Sequence, residues 1–308
     1  MLKVILSRLV QGIVVLFLLY TITFFLLRQL PGNPLAREKA MPAHIAAKMN
    51  TYYGLDRPLH EQYAKQLGNF LKGDPGYSFR LEGRPVGEII GQAFPVSIQL
   101  GVFAMFMAIS IGIPAGCIAA ARKNGLIDVG TMAVAMIGIC LPSFVTGPIL
   151  ADYFGQDKQL MPAVGWNAFG PSTWILPAFT LGLAYAAYLS RLSRAGMLDT
   201  LSQDFVRTAK AKGVPGWRIL IKHCLRGGLI PAVAYIGPAF AGIISGTLVI
   251  ETIFQVPGLG RHFIKSIETR DYPVIIGLTM LYGALVIVAN FLTDIASAWL
   301  NPRLKKSS

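Results

Sequence analysis

The sequence predicts an all-α integral membrane protein, with six transmembrane helices and a long external loop after the first. Composition is the first reason. Of the 308 residues 54% are hydrophobic and 14% charged, against about 25% charged in a soluble domain, and the mean hydropathy is +0.54. The second reason is spacing: six apolar runs come near or exceed the roughly 20 residues that cross a bilayer core. The third is that basic residues crowd into alternate loops, as they do when one set of loops stays on the cytoplasmic side.

In chain order, Met1–Arg8 carries Lys3 and Arg8, and an apolar run follows from Leu9 to Leu27. It exceeds the 7–15 apolar residues of a signal peptide and is followed by no A-x-A site, so it reads as a span. Pro31–Phe94 is a polar loop with nearly balanced charges. A loop of this length calls for secondary structure of its own, expected at Ala43–Tyr53 and Leu59–Leu71. The second span is set at Pro95–Ala121, with Gly112 and Gly116 at the four-residue spacing that lets helices approach closely. The third, Ile127–Leu150, is interrupted by Pro142 and Pro148, each of which removes a backbone donor and bends a helix.

Asp152–Ser172 reads as a short external loop, with Trp166 and Trp174 near the membrane interface. The fourth span is Thr173–Leu189, ending at Arg191 and Arg194. The fifth is Leu229–Ile250, with Gly242 and Gly246 again four apart. Glu251–Tyr272 reads as the third external loop and Pro273–Leu300 as the sixth span, before a basic tail at 301–308. Three cysteines, Cys117, Cys140 and Cys224, form neither a C-x-x-C pair nor a ligand cluster and read as packing residues.

Six spans place both termini on one side. Lys3, Arg8, Arg122, Lys123, Arg191, Arg194, the basic residues between 200 and 228, and the tail Arg303, Lys305 and Lys306 lie there, against few acids. The two shorter opposite loops hold Lys158, Arg261, Lys265 and Arg270. Positive charge stays inside, so both termini and the 200–228 loop are expected in the cytoplasm and the 31–94 loop outside.

The chemistry the chain lacks also narrows its function. It holds no G-x-x-x-x-G-K-[ST] phosphate loop, no H-E-x-x-H and no G-x-S-x-G. Its four histidines pair with no carboxylate at catalytic spacing. An ion-coupled carrier places ionisable groups at mid-depth in its spans; here Asp128, Asp152, Glu251 and Asp294 all fall toward span ends. The expectation is a transport subunit, not an enzyme, which binds no cofactor and takes its energy from elsewhere. An ion-coupled secondary transporter is the rival class.

The segment Thr200–Pro231, TLSQDFVRTAKAKGVPGWRILIKHCLRGGLIP, stands out as basic and polar between apolar runs. It reads as two short helices. Thr200 and Gln203 have capping-box spacing. Lys210 and Lys212 suit the negative end of the first helix, Gly213 takes its C′ position, and Pro215 opens the second helix. There Trp217, Leu220, Ile221, Cys224 and Leu225 are expected to form one apolar stripe. A basic amphipathic loop on anionic lipid and a protein-docking helix both fit this pattern.

The order FVRTAKAKG, then His223, then Pro231, resembles the cytoplasmic EAA loop of bacterial ABC-importer permeases, in the version found in the peptide and nickel branch. The resemblance extends over the chain: PGNP at Pro31–Pro34, YGLDRPLHEQY at Tyr53–Tyr63, GDPGYSF at Gly73–Phe79, MIGICLPSF at Met136–Phe144 and GPAFAGIISGTLVIETIFQVPGLG at Gly237–Gly260. It is most similar to the first permease subunit of oligopeptide importers, with dipeptide and nickel importers next. Asn33 departs from the usual PGDP, Arg207-Thr208-Ala209 stands where other branches have Glu-Ala-Ala, and Gly227-Gly228 stands where Asn-Ala is common, a pair expected to loosen the return into the fifth span.

The resemblance implies a type I ABC-importer permease fold, with residues 1–308 as a single transmembrane permease domain in the bacterial cytoplasmic (inner) membrane. It implies an oligopeptide-importing pore formed with a second homologous permease, driven by two ATP-binding subunits that hold the ATP and Mg, and served by an external peptide-binding protein. It assigns ATPase coupling to Phe205, Arg207, Thr208, Ala209, Lys210, Ala211, Lys212 and Gly213, with Ala209 on the face turned to the partner.

Overall fold

The computed structural model describes residues 2–30, 43–81, 83–167, 170 and 172–300. The motif PGNP and the C-terminal tail lie outside them. Thirteen α-helices are formed among the described residues: α1 (Leu2–Gln29), α2 (Ala43–Tyr53), α3 (Leu59–Leu71), α4 (Val86–Ala121), α5 (Leu126–Cys140), α6 (Ser143–Leu150), α7 (Ser172–Leu201), α8 (Asp204–Ala211), α9 (Gly216–Arg218), α10 (Leu225–Gly228), α11 (Ile230–Ile253), α12 (Leu259–Thr269) and α13 (Tyr272–Leu300). Two π-helical segments, Ala151–Asp157 and Ile219–Cys224, extend α6 and join α9 to α10. An isolated bridge between Tyr77 and Pro85 is the only β pairing among the described residues.

In α1, α4, α7 and α13 the apolar stretches are long enough to cross a membrane unbroken. Leu126–Cys140 with Ser143–Asp157, and Gly216–Gly228 with Ile230–Ile244, pass the same test as pairs bent by 102° and 50°. Taking each pair as one span gives the expected six. The sharp bend falls where Pro142 was expected to kink the third span: Pro142 leaves α5 and becomes the residue that opens α6, because it has no N–H to continue the first ladder.

The chain divides into two compact units. The first holds Lys3–Ser97 and Pro257–Leu285. The 31–94 loop contains the two expected helices, α2 and α3, at the expected positions. An aromatic core fixes them: Tyr20, Phe24 and Leu27 of α1 pack with Met49 and Tyr53 of α2, Phe79, and Tyr272, Ile275, Ile276 and Met280 of α13. Tyr63 on α3 sets its ring 5.3 Å from that of Phe24 and 5.8 Å from that of Tyr20. Edge-on and tilted pairs of this kind add to simple area burial. The Tyr53 hydroxyl donates to the Tyr77 carbonyl (2.8 Å) and accepts from the Tyr77 N–H (2.6 Å), tying α2 to the GDPGYSF turn.

Two expectations change here. α4 starts at Val86, nine residues before Pro95, because Val86, Ile89 and Ala93 bury against Leu259, Val274 and Leu278. The third external loop is not a plain loop: its centre is α12, whose buried residues Leu259, Gly260 and Ser266 lie on one side. The Leu259 N–H donates to Ser97 Oγ (2.8 Å), satisfying one of the free donors of the first turn.

The second unit holds Ile98–Val256, and α7 is its centre. Gly112 and Gly116 bring α4 onto α7: a Cβ at either would stand 2.3 Å and 2.2 Å from the carbonyl oxygens of Ala186 and Ser190. Gly242 does the same for α11, where a Cβ would stand 2.6 Å from the Tyr185 hydroxyl. The small residues at four-residue spacing are therefore contact points, as expected. α7 runs twelve residues beyond Leu189, so Arg191 and Arg194 lie inside a helix and not in a loop.

Candidate functional site

The 200–228 segment folds as a short helix followed by a helical return into α11. α8 begins after Gln203, an extended N-cap residue with no side-chain cap bond. The expected capping box is absent, because Thr200 belongs to the last turn of α7 and donates its hydroxyl to the Gly196 carbonyl (2.9 Å). Asp204 in the first turn and Lys210 in the last suit the helix dipole. Arg207 lies 3.6 Å from Asp204, but both are so exposed that the pair adds little.

The helix ends as the sequence predicts. Gly213 has φ +74°. Its N–H donates to the Lys210 carbonyl (2.9 Å), and the Val214 N–H donates to the Ala209 carbonyl (3.1 Å). These two bonds, five-to-two and six-to-one in that order, make a Schellman end, which needs a left-handed residue at the glycine position. Val206 is buried in a cluster with Ala120, Met197, Ile219 and Cys224, and Ala209 packs on the same cluster. Phe205, Arg207, Thr208, Lys210, Ala211 and Lys212 are exposed. Ala209 thus faces the chain's own core, not outward: it shares the inward face with Val206, three residues earlier.

The expected stripe of the second helix is also re-phased. Trp217 and Ile221 are 61% and 62% exposed, while Ile219 and Cys224 are buried. The cause is the π-helical segment Ile219–Cys224. A helix with i→i+5 bonds aligns residues five apart, which puts Ile219 and Cys224 on one face. The Arg218 guanidinium lies 5.4 Å from the centre of the Trp217 ring. Gly227-Gly228 does not loosen the return. A Cβ at Gly228 would stand 2.5 Å from Met197 Sδ, and one at Gly196 would stand 2.2 Å from the Gly228 oxygen. Two glycines facing each other let α10 lie directly on α7.

Sequence reasoning missed a charged pair in the same unit. The guanidinium of Arg194 on α7 grips Asp128 in the first turn of α5, Nε to Oδ1 and a terminal nitrogen to Oδ2 (2.7 Å). The Asn124 N–H donates to the same carboxylate (2.9 Å). Among the described residues, no group of three or more histidine, cysteine, aspartate or glutamate side chains could hold a metal.

On the first unit, the carboxylate of Asp271 accepts from Ser78 Oγ, from the Phe79 N–H (2.9 Å) and from the Arg80 N–H (3.3 Å). Burial pushes its pKa up, against the pull of those hydrogen bonds and of Arg80. The His262 imidazole is pushed down, by burial first and then by Arg84, Arg261 and Lys265 around it.

Apolar helices bent at proline and packed through glycines, with a short basic helix between two of them, define a multi-span membrane protein. Residues 112–306 match the family described as binding-protein-dependent transport system inner membrane component, and residues 1–101 match its N-terminal region. The chain belongs to this family of ABC-importer permeases. It is 42% identical over 305 residues to the oligopeptide transport system permease protein OppB of Haemophilus influenzae, covering 99% of this chain and 100% of that one. It is 41% identical to the Salmonella typhimurium protein of the same name at the same coverage. The dipeptide transport system permease protein DppB of Bacillus subtilis is 38% identical over 285 residues, 92% of each chain. The fold also matches a crystal structure of an amino acid ABC transporter with histidines, with TM-score 0.50 and 15% identity over 67% of this chain and 94% of that one. At that identity the match speaks for the fold, which is the type I permease fold the resemblance implied.

Proposed function

We propose that this chain is one half of the translocation pore of an ATP-driven oligopeptide importer in a bacterial inner membrane. The observation that carries the substrate class is full-length similarity, above 40% identity, to oligopeptide permeases. A dipeptide importer is the second reading, favoured by the 38% identity to dipeptide permeases. In the assembly, a second homologous permease completes the pore, two ATP-binding subunits hold ATP and Mg, and an external binding protein delivers the peptide. Phe205, Arg207, Thr208, Lys210, Ala211 and Lys212 present the exposed face of α8 to an ATP-binding subunit. Ala209 and Gly213 set the pose and the end of that helix. Both termini and the 200–228 segment are cytoplasmic, on the distribution of lysine and arginine.

Two measurements test this. A reporter active only outside the cytoplasm should be silent after Lys306 and active within 61–72; the reverse pattern defeats the orientation. Proteoliposomes holding the chain with its ATP-binding and peptide-binding partners should accumulate oligopeptides on ATP, and the chain alone should not. Peptide uptake by the chain alone on a proton gradient assigns it to the ion-coupled carriers and removes the proposal.

A further inference from the structure

A cavity of about 300 Å³ lies in the second unit between α4, α5 and α7. Gly112 and Ala115 of α4, Gly138 of α5, and Ala186 and Ala187 of α7 line it with little more than methyl groups and backbone. Ile111 and Val134 line it too, and both are exposed, so the cavity opens to the outside of the chain. The volume sits at the lower end of the roughly 300–1,000 Å³ range of small-molecule sites. No ionisable residue lines it, and its polar side chains are Ser190 of α7 and Thr131 of α5.

Ser190 is 3% exposed, and its hydroxyl has no hydrogen-bond partner. A hydroxyl inside a helix can turn back to the carbonyl four residues earlier. Thr180 and Thr200 on the same helix do so, at 2.8 Å and 2.9 Å, and Ser190 does not. A buried hydroxyl left unpaired is costly, so the cavity calls for an occupant that can pair with it. An alkyl chain fills the space and leaves the hydroxyl bare. Water pairs with the hydroxyl but is a poor filler for walls that are otherwise hydrocarbon. A helical turn, about 10 Å wide and roughly 5.4 Å long, takes up about 400 Å³, more than the cavity holds. A charged group finds no partner there. We infer that this cavity is a binding site for a small neutral amphiphile, the size of a medium-chain alcohol. Its apolar body lies against the walls of α4, α5 and α7, and its hydroxyl or carbonyl oxygen pairs with Ser190. The site does not depend on which solute the protein carries.

Photolabelling tests this. The full-length chain in detergent is irradiated with a diazirine-bearing octanol, and the adducts are mapped by mass spectrometry. Adducts should concentrate at 130–138 and 183–190, saturate with concentration, and be displaced by octanol about tenfold better than by octane. Ser190→Ala should weaken labelling about fivefold, and Ser190→Ala with Thr131→Val should bring octanol down to the level of octane. Gly130 lines the cavity, and a Cβ added there meets nothing within 4 Å. Gly130→Phe should therefore block labelling at an unchanged unfolding temperature. Ser193→Ala is the control: Ser193 is also buried with its hydroxyl unpaired, yet it does not line the cavity, and labelling should stay at the wild-type level. Labelling spread evenly over the exposed apolar residues of α1 and α5, equal displacement by octane, unchanged labelling in Ser190→Ala, or an equal loss in Ser193→Ala overturns the inference.

Discussion

Arg194 and Asp128 meet through two parallel hydrogen bonds, with the carboxylate only 2% exposed and the guanidinium 26%. They join α7 to α5 across 66 positions of sequence. Removing one partner of a buried pair leaves the other desolvated and unpaired. Arg194→Ala and Asp128→Ala should each lower the thermal midpoint in detergent by several degrees, on the order of 5 °C. The double variant should fall by clearly less than the sum, since the pair acts as a unit. Additive losses would show that the two side chains contribute separately.

Asp271 supports the first unit in a comparable way, through the Ser78 hydroxyl and two backbone N–H groups, with Arg80 as the nearby positive charge. It holds Ser78, Phe79 and Arg80 against the α12–α13 junction, where its own N–H donates to the Ser266 carbonyl (2.8 Å). Asp271→Ala removes the acceptor of the buried Phe79 N–H, at about 1–3 kcal/mol, while the Arg80 N–H keeps Ser78 Oγ (3.1 Å). The variant should become protease-sensitive within 73–85 while the membrane helices stay protected. Unchanged cleavage there would show that the aromatic core alone holds the turn.

The pH response follows from His262. Its folded-state pKa lies below the ordinary 6.5, because burial and then Arg84, Arg261 and Lys265 disfavour the imidazolium. Between that lowered value and 6.5 the unfolded chain binds more protons than the folded one, so stability rises with pH across the window and is lost on acidification. A midpoint measured from pH 7.5 down to pH 5 should fall, and His262→Gln should flatten the part of the slope just below 6.5. An identical profile in the variant would assign the acid sensitivity to other groups.

Much of this architecture is written in local pattern. α2 and α3 are legible because turn residues bracket them, Gly54 to Pro58 on one side and Gly73 to Gly76 on the other. Gly213 is legible because a basic helix followed by Gly and Pro has one common ending. Other features depend on partners distant in sequence. The extension of α4 to Val86 is driven by Leu259 and Val274, and a proline at 95 hides it. The Asp128–Arg194 pair couples two residues that each look like a span end. The exposed positions of Trp217 and Ile221 follow from one π-helical turn, which shifts the face by a residue and which a 3.6-residue period cannot reveal. Gly228 reads as a loose joint until Gly196 is placed against it.

The two faces of α8 give the sharpest test of coupling. Phe205 is 42% exposed on the outward face, whereas Ala209 packs inward beside Val206. Ala209→Glu would therefore push a carboxylate into the cluster of Met197, Ile219 and Cys224 and disturb the chain's own packing. Phe205→Glu leaves that cluster untouched and changes only the presented surface. Gly213→Val imposes a β-branched residue at φ +74°, where an L-residue costs about 1–2 kcal/mol even with no neighbour to meet; Gly213→Asn, which tolerates that region, should be mild. If α8 docks on an ATP-binding subunit, Phe205→Glu should lower co-purification of that subunit about tenfold or more at unchanged thermal stability. Gly213→Val should weaken it and Gly213→Asn should restore it. Ala209→Glu should lose stability and docking together. Full recovery of the ATP-binding subunit with Phe205→Glu, in a chain that still imports peptide at the wild-type rate, would take the coupling role away from this helix.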